Sequence, residues 1–280
     1  MFVMTIDQRG STGDQDRVPD LLRQVAGLDL PGGEPPVFDR SVGDEVQGVV
    51  RDASDVVEIA LHALRSGRWY VGIGIGTVSL APHASPREGA GTAFVAARKA
   101  VELAKGAGAQ VPLSVVPGMM AGAGAGGAAA TEGVQACANA EAVLRLLGRL
   151  VQDRTDAQWR VVDALHRLGV RGQGPGRHGS QKQVARELGV SEQSVSRTVL
   201  RSGWQEEWAA RPAASMLLGL ADSLLAGDHR GAGGQDSAAQ LGDTAQPNDT
   251  AKLGGTAQPG FTAQPEPAGG VAADRTEGQA

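Results

Sequence analysis

Six side chains between Ser180 and Gly203 are of the types that meet nucleic acid: Lys182, Arg186, Gln193, Ser194, Arg197 and Arg201. Guanidinium and ammonium groups neutralise phosphates, while Gln, Ser and Arg offer donors and acceptors suited to base edges. Two carboxylates near the start of the chain suggest a second chemistry. Asp7 closes an apolar run, and Asp44 lies in Gly43-Asp44-Glu45. Brought together, Asp7 and Asp44 could hold Mg²⁺ or Mn²⁺, with phosphate oxygens completing the coordination shell. A Gly-Asp pair also turns a hairpin on its own account, so the residues alone leave Asp44 with two readings.

The basic and polar set needs two short helices and a tight turn. In SQKQVARELGVSEQSVSRTVLRSG, Val184 and Ala185 mark one side of a first helix that ends at Leu188. Gly189 stands where the chain reverses, because a residue without Cβ reaches positive φ cheaply. Ser191 is a good N-cap for a second helix, and Glu192 suits its first turn. Val195 and Val199, four apart, supply the buried stripe. A small residue at 185, Gly at 189 and a β-branched residue at 195 are the spacing of a helix-turn-helix over 181–202. Arg197 and Arg201 are then expected to face DNA from the second helix, with Lys182 and Arg186 approaching its backbone from the first.

Charge is placed accordingly. The chain carries a net charge of −5, yet from Arg154 to Arg211 ten cations face six anions, leaving that segment at +4 and the remainder at −9. Phosphate attraction is decided within a Debye length, so the global sign does not exclude DNA. The single cysteine, Cys137, permits no internal disulfide and fits a reducing cytosol. MFVMTIDQRG lacks the basic lead of a signal peptide, and no stretch reaches the length of a membrane span. A cytoplasmic protein with no membrane partner is expected. The five histidines (His62, His83, His166, His178, His229) show no metal-ligand spacing.

The carboxylates require a sheet. Apolar runs predict strands at 2–6, 37–42, 46–50 and 69–78, and 3.6-residue periodicity predicts helices at 17–28 and 53–65. The order β-α-β-β-α-β is the split βαβ, ferredoxin-like arrangement, in which the first and third strands are central antiparallel neighbours and carry Asp7 and Asp44 to one edge. The glycine-rich strand WYVGIGIGTV reads as packed closely against another element. A helix at 91–105, holding Arg98, and an added strand at 111–116 follow. The expected domains are an α/β sheet domain at 1–117, a Gly/Ala-rich linker at 118–138, a helical domain at 139–226 and a disordered tail at 227–280, in which Thr-Ala-Gln-Pro recurs. Within the helical domain, helices are expected at 139–151 and 156–168, a loop at GQGPGRHGS, and a further helical stretch at 204–226 broken at Pro212.

The N-terminal half resembles the catalytic domain of class III nucleotidyl cyclases and, more distantly, diguanylate cyclases. The resemblance rests on Asp7 with Gly10 after the first strand, Gly43-Asp44 in the hairpin, the GIGIG strand at 72–76, and Gly91–Arg98 opening the next helix. It implies a divalent metal on Asp7 and Asp44, nucleotide-binding cations at Arg40 and Arg98, and a homodimer. The helix has Phe94 and Val95 where cyclases carry an asparagine. Residues 1–212 are also similar to the SatD family of bacterial proteins in Asp7-Gln-Arg-Gly-Ser11, Gly43-Asp-Glu-Val-Gln-Gly48 and the helix-turn-helix. That similarity implies a bacterial cytoplasmic protein able to bind DNA. The function expected is DNA binding in transcriptional regulation, with a degenerate cyclase-like domain that binds a nucleotide or metal. The alternative is an active nucleotidyl cyclase whose C-terminal helices serve dimerisation.

Overall fold

Alternation along the first strand fixes the layering. In β1 (Phe2–Gln8), Phe2, Met4 and Ile6 point to one side and enter the main core, while Val3 packs on the other side with Ala93 and Ala97. A strand apolar on both faces must be covered twice. The sheet of this computed structural model, which describes residues 1–33, 35–82, 84–108, 110–119, 128–170 and 177–238, is indeed covered on both faces. At 129, 177, 178 and 227–238 the backbone alone is described.

Five strands form one mixed sheet. β2 (Phe38–Arg40), β3 (Glu45–Val50), β1 and β4 (Trp69–Ile75) lie side by side in that order and are antiparallel; β5 (Leu113–Pro117) adds to β4 in parallel. One face receives α1 (Val18–Ala26), α2 (Ala53–Arg65), α4 (Ala128–Gln152) and the later part of α8 (Trp204–Ala238). The other receives α3 (Thr92–Lys105). Gly72 and Gly74 explain how close α3 comes: a Cβ on either would run into the backbone of Ala93, Ala97 or Val101. The alanines Ala93, Ala96, Ala97 and Ala100 on α3 complete that close approach.

A second, smaller core lies between α5 (Asp156–Arg167), α6 (Arg177–Leu188) and α7 (Glu192–Arg201), with Val161, Val162, Leu165, Val184, Ala185, Val195 and Val199 closed by Trp204 at the start of α8. Two of these helices are capped locally. Thr155 and Gln158 form a reciprocal capping box on α5, and Ser191 accepts from Ser194 N on α7.

Several expectations from sequence need correction. The helices at 139–226 do not make a separate domain, because Ala136, Ala140, Leu144, Leu147 and Val151 of α4, and Ala214, Leu218, Ala221 and Leu225 of α8, join the sheet's own core. Their apolar stripes need a large partner, and the sheet and α2 supply it. Helix α4 begins at Ala128, inside the expected linker, since an alanine-rich segment is a strong helix former; residues 120–127 lie outside the described residues. Helix α6 begins at Arg177, within the expected loop, of which 172–176 lie outside the described residues. Pro212 does not break α8. The helix bears a proline cost of ~3 kcal/mol, offset by burial of Ala214 and Leu218 in the turns just beyond it. The expected disordered tail falls partly on α8, which continues to Ala238; residues 239–280 lie outside the described residues.

Candidate nucleic-acid interface and acidic sheet edge

The turn between α6 and α7 is built on Gly189, at φ 65°, and closed by Val190 N donating to Ala185 O at 3.0 Å. Burial of Val184 and Ala185 on α6, and of Val195 and Val199 on α7, fixes which sides of the two helices face outward. Lys182, Arg186, Gln193, Ser194, Arg197 and Arg201 are all exposed. On a helix of 3.6 residues per turn, positions 193, 194, 197 and 201 fall within roughly a 100° arc, opposite Val195 and Val199. Among the described residues, none of the four cations makes an ion pair. By contrast Arg167, close by, is tied to Glu187. The face therefore presents hydrogen-bonding groups with uncompensated positive charge, the chemistry that phosphates and base edges require.

The three-helix unit is held to the sheet layer by charged contacts that sequence reasoning missed. Arg65 at the end of α2 grips Asp163 of α5 through two hydrogen bonds of 2.8 and 2.7 Å and lies 3.8 Å over the Trp159 ring. Arg154, before α5, donates to Ser202 O at 2.8 Å and pairs with Glu207 at 2.5 Å. Arg211 joins the same Glu207 and reaches Glu58 on α2. No periodicity marks these residues, because partners such as Glu58 and Arg211 are far apart in the chain. His166 accepts from Trp204 Nε1 at 3.3 Å and packs edge-on to Trp208. Packing around its ring, with the Arg211 charge as a lesser cause, pushes its pKa down to about 4.

At the sheet edge, Asp7 faces Glu45 across β1 and β3, and Gln8 N donates to Asp44 O at 3.3 Å. Asp7 and Asp44 are thus neighbours. Asp7 is 8% exposed, and burial raises its pKa; Lys105 opposes the rise and the Asp44 charge adds to it. Burial raises Glu45 also, against Ser41 and Arg98. The Asp7 carboxylate is met by the Lys105 ammonium at 3.0 Å, which also lies 2.9 Å from Glu102. Among the described residues no three His, Cys, Asp or Glu side chains converge as a metal cage.

The two expected nucleotide-binding cations do not converge. Arg40 pairs with Val46, one register position from Glu45, so it belongs to the face of α1. There it forms an ion pair with Asp16 and donates to Gly43 O at 2.8 Å. Arg98, on α3, acts from the other face through its charge on Glu45. Strand alternation separates them. Lys105, two turns beyond Arg98 on the same helix, was the signal available in the sequence for the group that meets Asp7.

Among the described residues no helix is long and apolar enough to cross a membrane. Compared with known proteins, the chain matches no family, no curated protein and no solved structure.

Proposed function

We propose that this chain is a DNA-binding protein acting in transcriptional regulation, reading DNA with a helix-turn-helix formed by α6 and α7. The observation that carries the reading is the exposed face of Lys182, Arg186, Gln193, Ser194, Arg197 and Arg201, whose four cations have no ion pair among the described residues while the opposite side is buried. In this reading Arg197 and Arg201 contact base edges, and Lys182 and Arg186 contact phosphates. The sheet unit, read as ferredoxin-like and similar to a nucleotidyl cyclase domain, serves as the scaffold on which a cytoplasmic homodimer aligns two recognition helices with successive half-sites.

The experiment is selection of bound fragments from genomic DNA, followed by gel-shift titration of the recovered sequence. Arg197→Ala should relax specificity and cost about 1–3 kcal/mol; an unchanged shift would remove the assignment. A second reading, in which Asp7 and Asp44 bind a nucleotide with Mg²⁺ or Mn²⁺, is favoured by the adjacency of the two carboxylates. It requires the cation to displace Lys105.

A further inference from the structure

A cleft of about 690 Å³ opens where α1, α2 and α5 meet, a volume that suits a metabolite-sized ligand. Its lining carries guanidinium groups from four segments of the chain: Arg17 before α1, Arg65 at the end of α2, Arg68 before β4, and Arg160 in α5. Their charge is unevenly compensated. Arg65 is satisfied by Asp163. Arg17 holds Asp14 through two hydrogen bonds of 2.9 and 3.0 Å, and Arg68 must share that same carboxylate at 3.4 Å. Arg160 is exposed and makes no ion pair among the described residues. Of the acidic lining residues, Asp20 is engaged by Arg23, and Asp156 opens α5, where the helix dipole favours its charge.

We propose that this cleft binds a small, multiply charged oxyanion, a phosphate ester or a polycarboxylate, clamped between Arg68 and Arg160. A guanidinium presents a planar fork that chelates two oxygens, and two incompletely paired forks call for an anion with at least two charged oxygen pairs. Recognition is ionic rather than by stacking. Arg65 lies 3.8 Å and Arg154 4.9 Å over the Trp159 ring, while Trp69 is buried in the core. His62, hydrogen-bonded to Gln24 Oε1 at 3.1 Å, has its pKa lowered by burial and by Arg65, so it lines the cleft as a neutral polar group at neutral pH. The bound anion cross-links the segment before β4 to α5, independently of whether α7 contacts DNA.

The test is isothermal titration and thermal melting of the full chain with inorganic pyrophosphate and, separately, with citrate. Binding of one anion per chain is expected, with a raised melting temperature. Arg68→Ala and Arg160→Ala should each weaken it at least about tenfold, the worth of one charge-assisted hydrogen bond. Arg186→Ala, on the exposed face of α6, should leave it unchanged. Binding of pyrophosphate alone supports the phosphate-ester ligand, and binding of citrate alone the polycarboxylate. If neither probe shifts the melting temperature at millimolar concentration, the site is overturned. So does an equal loss in Arg186→Ala, which would put the anion on the helix-turn-helix.

Discussion

Lys182→Ala offers the sharpest test of the DNA reading, because the side chain is exposed on α6 and its removal leaves the core of α5, α6 and α7 intact. Removing one phosphate-neutralising cation should lower the slope of log K against log salt by about 0.9. In a homodimer Lys182 and Arg186 together supply four such cations, for a slope contribution of about −3.6; Lys182→Ala leaves two, for about −1.8. Between 50 and 200 mM salt, the four weaken binding roughly 150-fold and the two roughly 12-fold. Arg197 and Arg201 contribute equally to both proteins, so the difference in slope is the quantity to read. Fluorescence anisotropy on a labelled duplex across that salt range measures it, and light scattering at micromolar concentration supplies the number of chains. A monomer would halve the expected difference and count against the dimer. An unchanged slope in Lys182→Ala would refute the placement of α6 on the DNA backbone.

Glu207→Ala leaves Arg154 and Arg211 without their shared, buried carboxylate, and should destabilise the fold by about 3–5 kcal/mol in urea titration; a neutral result would show that the network contributes no stability. His166 has a folded pKa near 4 against an ordinary 6.5, so the unfolded chain binds its proton first on acidification. Stability should therefore be held above pH 6.5 and lost as pH falls from 6.5 towards 4, and His166→Gln should flatten that part of the profile. If Asp7 and Asp44 hold a metal–nucleotide pair, Mg²⁺ or Mn²⁺ with a nucleoside triphosphate should raise the melting temperature, by about 2.7 kcal/mol of stabilisation at a hundredfold excess over Kd, and Asp44→Asn should abolish the rise. No shift in the wild-type protein would leave Lys105 as the counter-ion of Asp7 and Asp44 as a turn residue.

Local patterns were enough to place much of this molecule. The apolar run FVMTI, the spacing of Val195 and Val199, and Gly189 between two helical runs each depend on interactions within a few residues, which hydrophobic pattern and capping chemistry report directly. The adjacency of Asp7 and Asp44 was also legible, because strand order follows from a short β-α-β-β-α-β string and the two residues stand at the end of one central strand and the start of its neighbour. What tertiary structure alone decided is which charges meet. Arg40, one register position from Glu45, faces the side of the sheet away from Asp7, and Lys105 meets Asp7 from the helix on the other face. The division of the chain was decided the same way. Helices α4 and α8 have stripes that could have paired with any apolar surface, and only the face of the sheet beside α2 determines that they complete the first core, leaving α5, α6 and α7 as the small exposed unit. Burial is non-directional and indifferent to sequence separation, so an amphipathic pattern declares that a face will be covered without naming what covers it.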